Sequence, residues 1–176
     1  MSATPPRLIA VDGANTETLR AAVRRRPRRS GVSHWNASGL FEQMVVADDD
    51  AGAPSVRTLL LLYAADLAFR LRWEIQPMLA EGRTVVAAPY VDTAIAFGRA
   101  AGVRGGWLTS LFQFAMRPTE RWYIDGPVPK GKTGAQGFVE FCCAQLDGRQ
   151  LGLTRKELAT RTRVHLAAAA RRARGR

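Results

Sequence analysis

The stretch LLLLYAADLAFRLRWEIQPMLAEGRTVVAAPYVDTAIAFG, residues 59–98, decides the fold expected for this chain. It predicts one long helix over residues 57–81, which ends at Gly82 because glycine favours helix C-termini. Apolar residues at 84–88 then predict a buried strand, and the next helix is predicted over 91–101. Apolar side chains cover most of the circumference of the long helix. We therefore expect it to lie between two layers or at a subunit interface.

Outside this stretch, short apolar strands alternate with helices. Such alternation is typical of a parallel sheet with helices on both faces, so we expect a doubly wound α/β fold. The predicted strands lie at residues 8–11, near Val32 and at 121–125. The predicted helices lie at 16–26, where Pro27 ends the first of them, at 106–116, at 137–146 and from Thr154, where Thr-Arg-Lys-Glu forms a capping box. Three aspartates at 48–50 predict an acidic turn.

The composition is that of a globular protein. The chain has 176 residues, of which 47% are apolar, enough for one domain with its own core. Its longest unbroken apolar run, residues 59–65, is far shorter than the ~20 residues of a membrane-spanning helix. The N-terminus lacks a basic region followed by an apolar block, so we expect a cytoplasmic protein with no membrane association. Adjacent Cys142 and Cys143 are unsuitable alone for zinc, and we expect no metal site.

The net charge of +11 is concentrated in two segments. Residues 20–29 carry +6 and residues 155–176 carry +7, so the remainder is slightly acidic. This concentration indicates an anionic partner such as nucleic acid, bound without sequence preference because no aromatic residue is interleaved. The alternative is that both segments are solvated and only aid solubility. The arginines concerned are Arg24, Arg25, Arg26, Arg28 and Arg29, and Arg171, Arg172, Arg174 and Arg176.

Residues 57–125 resemble the thymidylate kinases. The sequence LYAAD at 62–66 is similar to the [LF]-[FY]-A-A-D-R segment of that family, and the following strand and helix are similar to its D-R-Y-x-x-S and A-Y-Q-G elements. AVDGANTETL, residues 10–19, stands where the family has E-G-x-D-G-A-G-K-[ST]-T. The resemblance covers residues 7–125. It implies a P-loop kinase-like domain at 1–153, shortened at the C-terminus, followed by a basic helix and tail at 154–176.

Three parts of the phosphate-handling apparatus depart from this family pattern. Phosphoryl transfer depends on positioning and on cations that neutralise the moving charge. The loop lysine, the arginine of D-R-Y and the arginine of A-A-D-R are all replaced. We therefore expect no catalytic residues, and ATP with magnesium only if some activity persists. The replacing residues are Asn15, Thr16 and Glu17 in the loop, Ala88 and Pro89 after the strand, and Leu67 in the long helix.

Other positions match the family. Asp12 and Gly13 match the acid and the glycine of the loop, and the resemblance implies that the acid faces a substrate sugar. Tyr63 stands at the position that stacks on the base, and Phe97 at the aromatic of A-Y-Q-G. The candidate nucleotide-binding residues are Asp12, Gly13, Tyr63, Arg70, Tyr90, Asp92 and Phe97. The alternative is that the three aromatic rings are simply part of the core.

A second motif, GPVPKGKT at residues 126–133, fits the P-loop pattern G-x-x-x-x-G-K-[ST]. It lies where the family has a mobile basic lid, so Lys130, Lys132 and Thr133 are candidates for phosphate or lid contacts. Three interpretations remain open: a basic loop like the lid, a solvated turn, or a working phosphate loop. Against the last, Gly134 and Gly137 weaken the helix that should follow.

These features predict a thymidylate kinase-like pseudoenzyme, which binds a nucleotide or a partner without catalysis. The resemblance also implies a homodimer through the long helix. The first alternative is a divergent active nucleotide kinase, in which Lys130, Lys132 or Arg70 supplies the missing charge. The second alternative is a basic nucleic-acid-associated module that keeps the kinase fold only as a scaffold.

Overall fold

A computed structural model describes residues 5–124 and 137–175 of the chain. Its centre is a four-stranded sheet in the order β2-β3-β1-β4, with every neighbouring pair parallel. The strands are β1 (Leu8–Asp12), β2 (Gly31–His34), β3 (Val85–Ala88) and β4 (Glu120–Tyr123). In register, Leu8 pairs with Val85 and Asp12 with Tyr123. The parallel sheet and the flanking helices confirm the predicted α/β class.

Helices connect the strands and cover both faces of the sheet. The described residues contain α1 (Glu17–Arg25), α2 (Leu40–Ala51), α3 (Val56–Arg70), a π-helical turn (Leu71–Ile75), α4 (Gln76–Ala80), α5 (Val91–Ala100), α6 (Gly105–Leu111), α7 (Phe138–Gln145), α8 (Gly148–Leu151) and α9 (Arg155–Arg174). Among them, no helix has both the length and the hydropathy that crossing a membrane requires.

The predicted long helix runs from α3 through the π-helical turn into α4. Ser55 begins it by accepting a hydrogen bond from the backbone N–H of Thr58 at 3.1 Å. Gly82 follows its end with a φ of 77°, a left-handed conformation that side chains disfavour. The sequence predicted both ends closely. The π-helical turn, one wider turn within the helix, has no signal that a periodicity argument would detect.

Two local predictions were wrong. The aspartates at 48–50 lie in the last turns of α2 and not in a turn, because the buried ring of Phe41 anchors the helix and Gly52, at φ 72°, ends it. The helix predicted over 106–116 ends at Leu111, since the chain then turns towards β4. The motif at 126–133 lies outside the described residues.

The core has two layers, one on each face of the sheet. Ile9 and Val11 pack with α1 on one face, whereas Leu8 and Ala10 face the larger layer of α3, α5 and α7.

The capping box predicted for α9 is present, because the Thr154 hydroxyl accepts from the Glu157 N–H and the Glu157 carboxylate accepts from the Thr154 N–H. Helix α9 packs along α5 and joins the larger layer through its buried side chains, which are Leu158, Thr162, Leu166 and Ala170.

Candidate nucleotide site

Asp12 is the last residue of β1, and it is buried. Only one of its two carboxylate oxygens accepts hydrogen bonds from the described residues. Its Oδ1 accepts hydrogen bonds from the Tyr90 N–H at 3.1 Å, the Thr93 N–H at 2.9 Å and the Thr93 hydroxyl at 2.8 Å. Its Oδ2 is buried and has no hydrogen-bond partner in the described part of the chain. Burial, reinforced by the nearby charge of Asp92, raises the pKa of Asp12 to about 7, although the bonds from Thr93 oppose the change.

The loop after Asp12 turns tightly into α1. A Cβ at Gly13 would collide with the Thr18 hydroxyl and lie 2.7 Å from the carbonyl oxygen of Ile124, so only glycine fits here. The side-chain oxygen of Asn15 accepts from the Glu17 N–H at 3.1 Å. The turn thus starts α1 directly after the carboxyl end of β1, where the positive end of the helix dipole favours negative charge.

A carboxylate from α7 occupies the start of this helix. Glu140 accepts from the Thr16 hydroxyl at 2.5 Å and from the Thr16 N–H at 3.4 Å, and it also accepts from the Gly137 N–H at 3.0 Å. The negative charge of the glutamate is favourable at the positive end of the α1 dipole. Sequence reasoning missed this contact. Its one signal was that Glu140 is the only charged residue in the helix predicted over 137–146.

The aromatic candidates pack against one another in the core. Tyr63 and Phe97 are fully buried, and the Tyr63 hydroxyl donates to the carbonyl oxygens of Pro89 and Tyr90, at 2.9 Å each. Phe138 of α7 lies against them, with its ring centroid 4.3 Å from that of Tyr63 and 5.6 Å from that of Phe97. Burial raises the pKa of Tyr63 and raises that of Tyr90 to about 12. Both phenols are therefore neutral at physiological pH.

Arg70 is fully buried and bonds to three neighbouring groups. Its Nε donates to the Ser33 hydroxyl at 2.9 Å, Nη2 to the Ser33 carbonyl at 3.0 Å, and Nη1 to the Pro89 carbonyl at 3.2 Å. The Asp66 carboxylate lies 3.9 Å from Nη1 and also accepts from the backbone N–H groups of Asn36 and Ser38. Arg70 therefore joins the carboxyl ends of β2 and β3.

Asp92 forms a polar group with two residues of β4. Its Oδ2 accepts from the Tyr123 hydroxyl at 2.6 Å and from Arg121 at 2.8 Å. Burial is the main cause of the raised pKa of Tyr123, and the bond to Asp92 adds to it. This group stands beside Asp12 at the carboxyl edge of β1 and β4.

Comparison with known proteins finds relatives that are named as probable thymidylate kinases. Over 93 residues, 53% of this chain and 44% of the relative, it is 29% identical to a probable thymidylate kinase 2 of Saccharolobus solfataricus. Over 102 residues, 56% of this chain and 50% of the relative, it is 32% identical to a probable thymidylate kinase of Pyrococcus abyssi. Over about half of its length the chain is similar to thymidylate kinases. It spans about half the length of these curated relatives, and no family model matches it.

A solved thymidylate kinase has the same fold. The enzyme from Ehrlichia chaffeensis aligns with a TM-score of 0.53 and 15% identity, covering 69% of this chain and 76% of that one. At this identity the likeness concerns the fold alone. It agrees with the P-loop kinase-like architecture expected from residues 7–125.

The thymidylate kinase resemblance implies ATP with magnesium, and the described residues do not fit a triphosphate as they stand. The loop from Gly13 to Thr18 carries no cationic side chain, and the Thr16 donors are bonded to the Glu140 carboxylate. Within residues 5–124 and 137–175, no three His, Cys, Asp or Glu residues are grouped to hold a metal ion. An anion at the start of α1 would have to displace Glu140.

The structure brings together some of the sequence-predicted site residues of this thymidylate kinase-like chain. Asp12, Gly13, Tyr90 and Asp92 meet at the carboxyl edge of β1 and β3, and Thr93 joins them by donating to Asp12. Tyr63, Phe97 and Arg70 lie behind this edge, fully buried. Lys130, Lys132 and Thr133 lie outside the described residues.

Proposed function

We propose that this chain is a thymidylate kinase-like protein that does not transfer phosphate and acts by binding a partner, with a second copy of itself as the first such partner. The observation that carries the proposal is the contact between Glu140 and Thr16 at the start of α1. The chain's own carboxylate takes the position that suits a phosphate group.

The charges around the loop support the absence of catalysis. Phosphoryl transfer needs cations around the transferred group. Here the side chains at the start of α1 include two carboxylates, Glu17 and Glu140, and the family's lysine position holds Thr16. The nearby Arg20 and Arg24 are paired with Glu17, at 3.3 and 2.7 Å. A triphosphate would therefore meet negative charge where catalysis needs positive charge.

The packing of the aromatic residues supports a partner-binding role over nucleoside binding. Phe138 lies against the face of Tyr63 where the family resemblance would place a base. The hydroxyl of Tyr63 is satisfied by two backbone carbonyls, so the ring is held in the core. A nucleoside would have to move α7 before it could stack on Tyr63.

The long helix supplies a surface for a second copy. Leu61, Phe69 and Trp73 are 53%, 39% and 64% exposed, and with the exposed Ala65 between them they are spaced four residues apart. Residues at this spacing line one face of a helix. We call this set the long-helix ridge. A twofold pairing of two ridges would bury each against an identical surface, as isologous dimers do.

We expect the chain to sediment as a dimer at micromolar concentration and the Trp73→Glu variant to sediment as a monomer. A carboxylate placed within an apolar interface is desolvated without a partner, which is costly. Val164→Glu is the matched control, because Val164 is 60% exposed on α9 and lies off the ridge. A monomeric wild-type chain, or equal effects of the two variants, would contradict the pairing.

We expect no dTMP-dependent release of ADP from ATP, either in the wild-type chain or in the variant Thr16→Lys combined with Glu140→Gln. The reason is that the cations of phosphoryl transfer act jointly, and the variant restores only one of them. A coupled ADP-release assay with an active thymidylate kinase as positive control measures this. Turnover that depends on dTMP and disappears in Asp12→Asn would favour the divergent kinase instead.

A further inference from the structure

A cavity of about 230 Å³ lies between α9 and the carboxyl edge of β1 and β4. We call it the α9 cavity. It is separate from the Glu140 contact and from the aromatic core around Tyr63. One wall comes from the edge of the sheet and the other from α9. Its polar lining residues are Asp12, Tyr123, Arg163, Arg171 and Arg174.

The α9 wall presents three arginines to this cavity. Arg163, Arg171 and Arg174 are spaced eight and three residues apart, which places them on one face of the helix. The Nε of Arg163 is buried and has no acceptor among the described residues. Packing of Leu166 and Ala170 into the core holds this face towards the sheet. Arg163 is half-buried on this wall, whereas the side chains of Arg171 and Arg174 line the cavity and remain exposed.

The sheet wall presents an acceptor without a donor. Asp12 is 1% exposed, and its Oδ2 has no hydrogen-bond partner in residues 5–124 and 137–175. A buried carboxylate oxygen normally accepts at least one hydrogen bond, because an unmet one is costly. The hydroxyl of Tyr123 donates to Asp92 and so does not serve Asp12. Among the described residues, the cavity thus combines one unmet donor on α9, the Nε of Arg163, with an unmet oxygen of Asp12 on β1.

We propose that the α9 cavity binds a compact phosphate monoester that carries a free hydroxyl group. The guanidinium groups of Arg163, Arg171 and Arg174 match phosphate oxygens in charge and in bidentate geometry. The hydroxyl donates to Oδ2 of Asp12, which has no donor among the described residues. The apolar lining, which includes Ile124, Leu166 and Ala167, suits the short carbon chain between the two groups.

The size of the cavity limits the ligand. A volume of 230 Å³ has room for about seven water molecules, and typical drug-sized ligands occupy pockets of roughly 300–1,000 Å³. A nucleoside triphosphate is too large, whereas a three-carbon phosphate ester fits. The proposal does not depend on whether the chain is a kinase, because neither Glu140 nor Thr16 contributes to this wall.

The test is calorimetric titration of the full chain with glycerol 3-phosphate at pH 8, where Asp12 is ionised and its Oδ2 can accept a hydrogen bond. We expect Arg171→Gln to weaken binding about tenfold or more, since a charge-assisted hydrogen bond to phosphate is lost. Arg172→Gln is the matched control, because this neighbouring exposed arginine does not line the cavity. Equal weakening by both variants would show attraction to the overall charge and overturn the proposal, as would no binding by the wild-type chain at millimolar ligand.

A second titration tests the hydroxyl contact without any mutation. We expect the wild-type chain to bind glycerol 3-phosphate about tenfold more tightly than n-propyl phosphate, which has the same carbon chain without hydroxyls. In Asp12→Asn this preference should shrink, because the ionisable acceptor is removed. Equal affinities of the two esters for the wild-type chain would overturn the assignment of the hydroxyl to Asp12.

Discussion

Replacing Arg70 with alanine is expected to lower the free energy of unfolding by about 3–5 kcal/mol. Arg70 is fully buried and donates to the hydroxyl and carbonyl of Ser33 and to the carbonyl of Pro89. Its removal leaves these acceptors and the Asp66 carboxylate without a cation, inside the core. Breaking a buried charge network costs more than its pairwise attraction, because the remaining groups stay desolvated. Urea unfolding at pH 7 measures the change.

Arg72→Ala provides the matched control for this experiment. Arg72 lies two residues further along the same helical segment, is exposed, and stacks over the ring of Trp73 at 5.5 Å. We expect its loss to cost less than about 1 kcal/mol. Arg70→Lys should fall between the two, because an ammonium group cannot donate in all the directions of a guanidinium. If Arg70→Ala cost no more than Arg72→Ala, the buried network would be only a minor source of stability.

The free energy of unfolding of the Asp12→Asn variant, relative to that of the wild type, is expected to increase as the pH rises from 4 to 8. The folded chain keeps the Asp12 proton up to about pH 7, whereas the unfolded chain releases it near the ordinary pKa of 3.8. Between these values the folded state binds more protons, so the contribution of Asp12 to stability is fully present below 3.8 and is lost as the pH rises through 7. The difference amounts to about 4 kcal/mol at most. Asparagine does not titrate and escapes this loss.

The measurement is urea unfolding of both chains at pH 4, 6 and 8. The stability of Asp12→Asn minus that of the wild type should increase across this range. Glu81→Gln is the control for removing a carboxylate, because Glu81 is exposed and pairs only with the exposed Arg83 at 3.5 Å among the described residues. Parallel pH curves for Asp12→Asn and the wild type would mean that Asp12 ionises normally despite its burial.

Hydrophobic periodicity and a few residues that cap or terminate helices were enough to predict most of the fold. Gly82 ended the long helix, Pro27 follows α1, and the capping box at Thr154 began α9, each at the predicted place. These signals act within one or two turns of the chain, so a local pattern suffices to read them. The matched motifs at residues 10–19 and 57–98 likewise predicted the order of elements and the kinase-like fold.

The candidate site was less predictable because its decisive contacts join distant parts of the chain. Thr16 and Glu140 are separated by 124 residues, and nothing in either segment indicates the other. The packing of Phe138 on Tyr63 is equally non-local. For the same reason the sequence indicated an anionic partner for the arginines at 171 and 174 but not that they line a cavity with Asp12, which depends on the packing of α9 on α5. The sequence by itself determined most of the elements that form, since that depends largely on neighbours in the chain. The tertiary structure decided which charges meet, since that depends on how helices stack on the sheet.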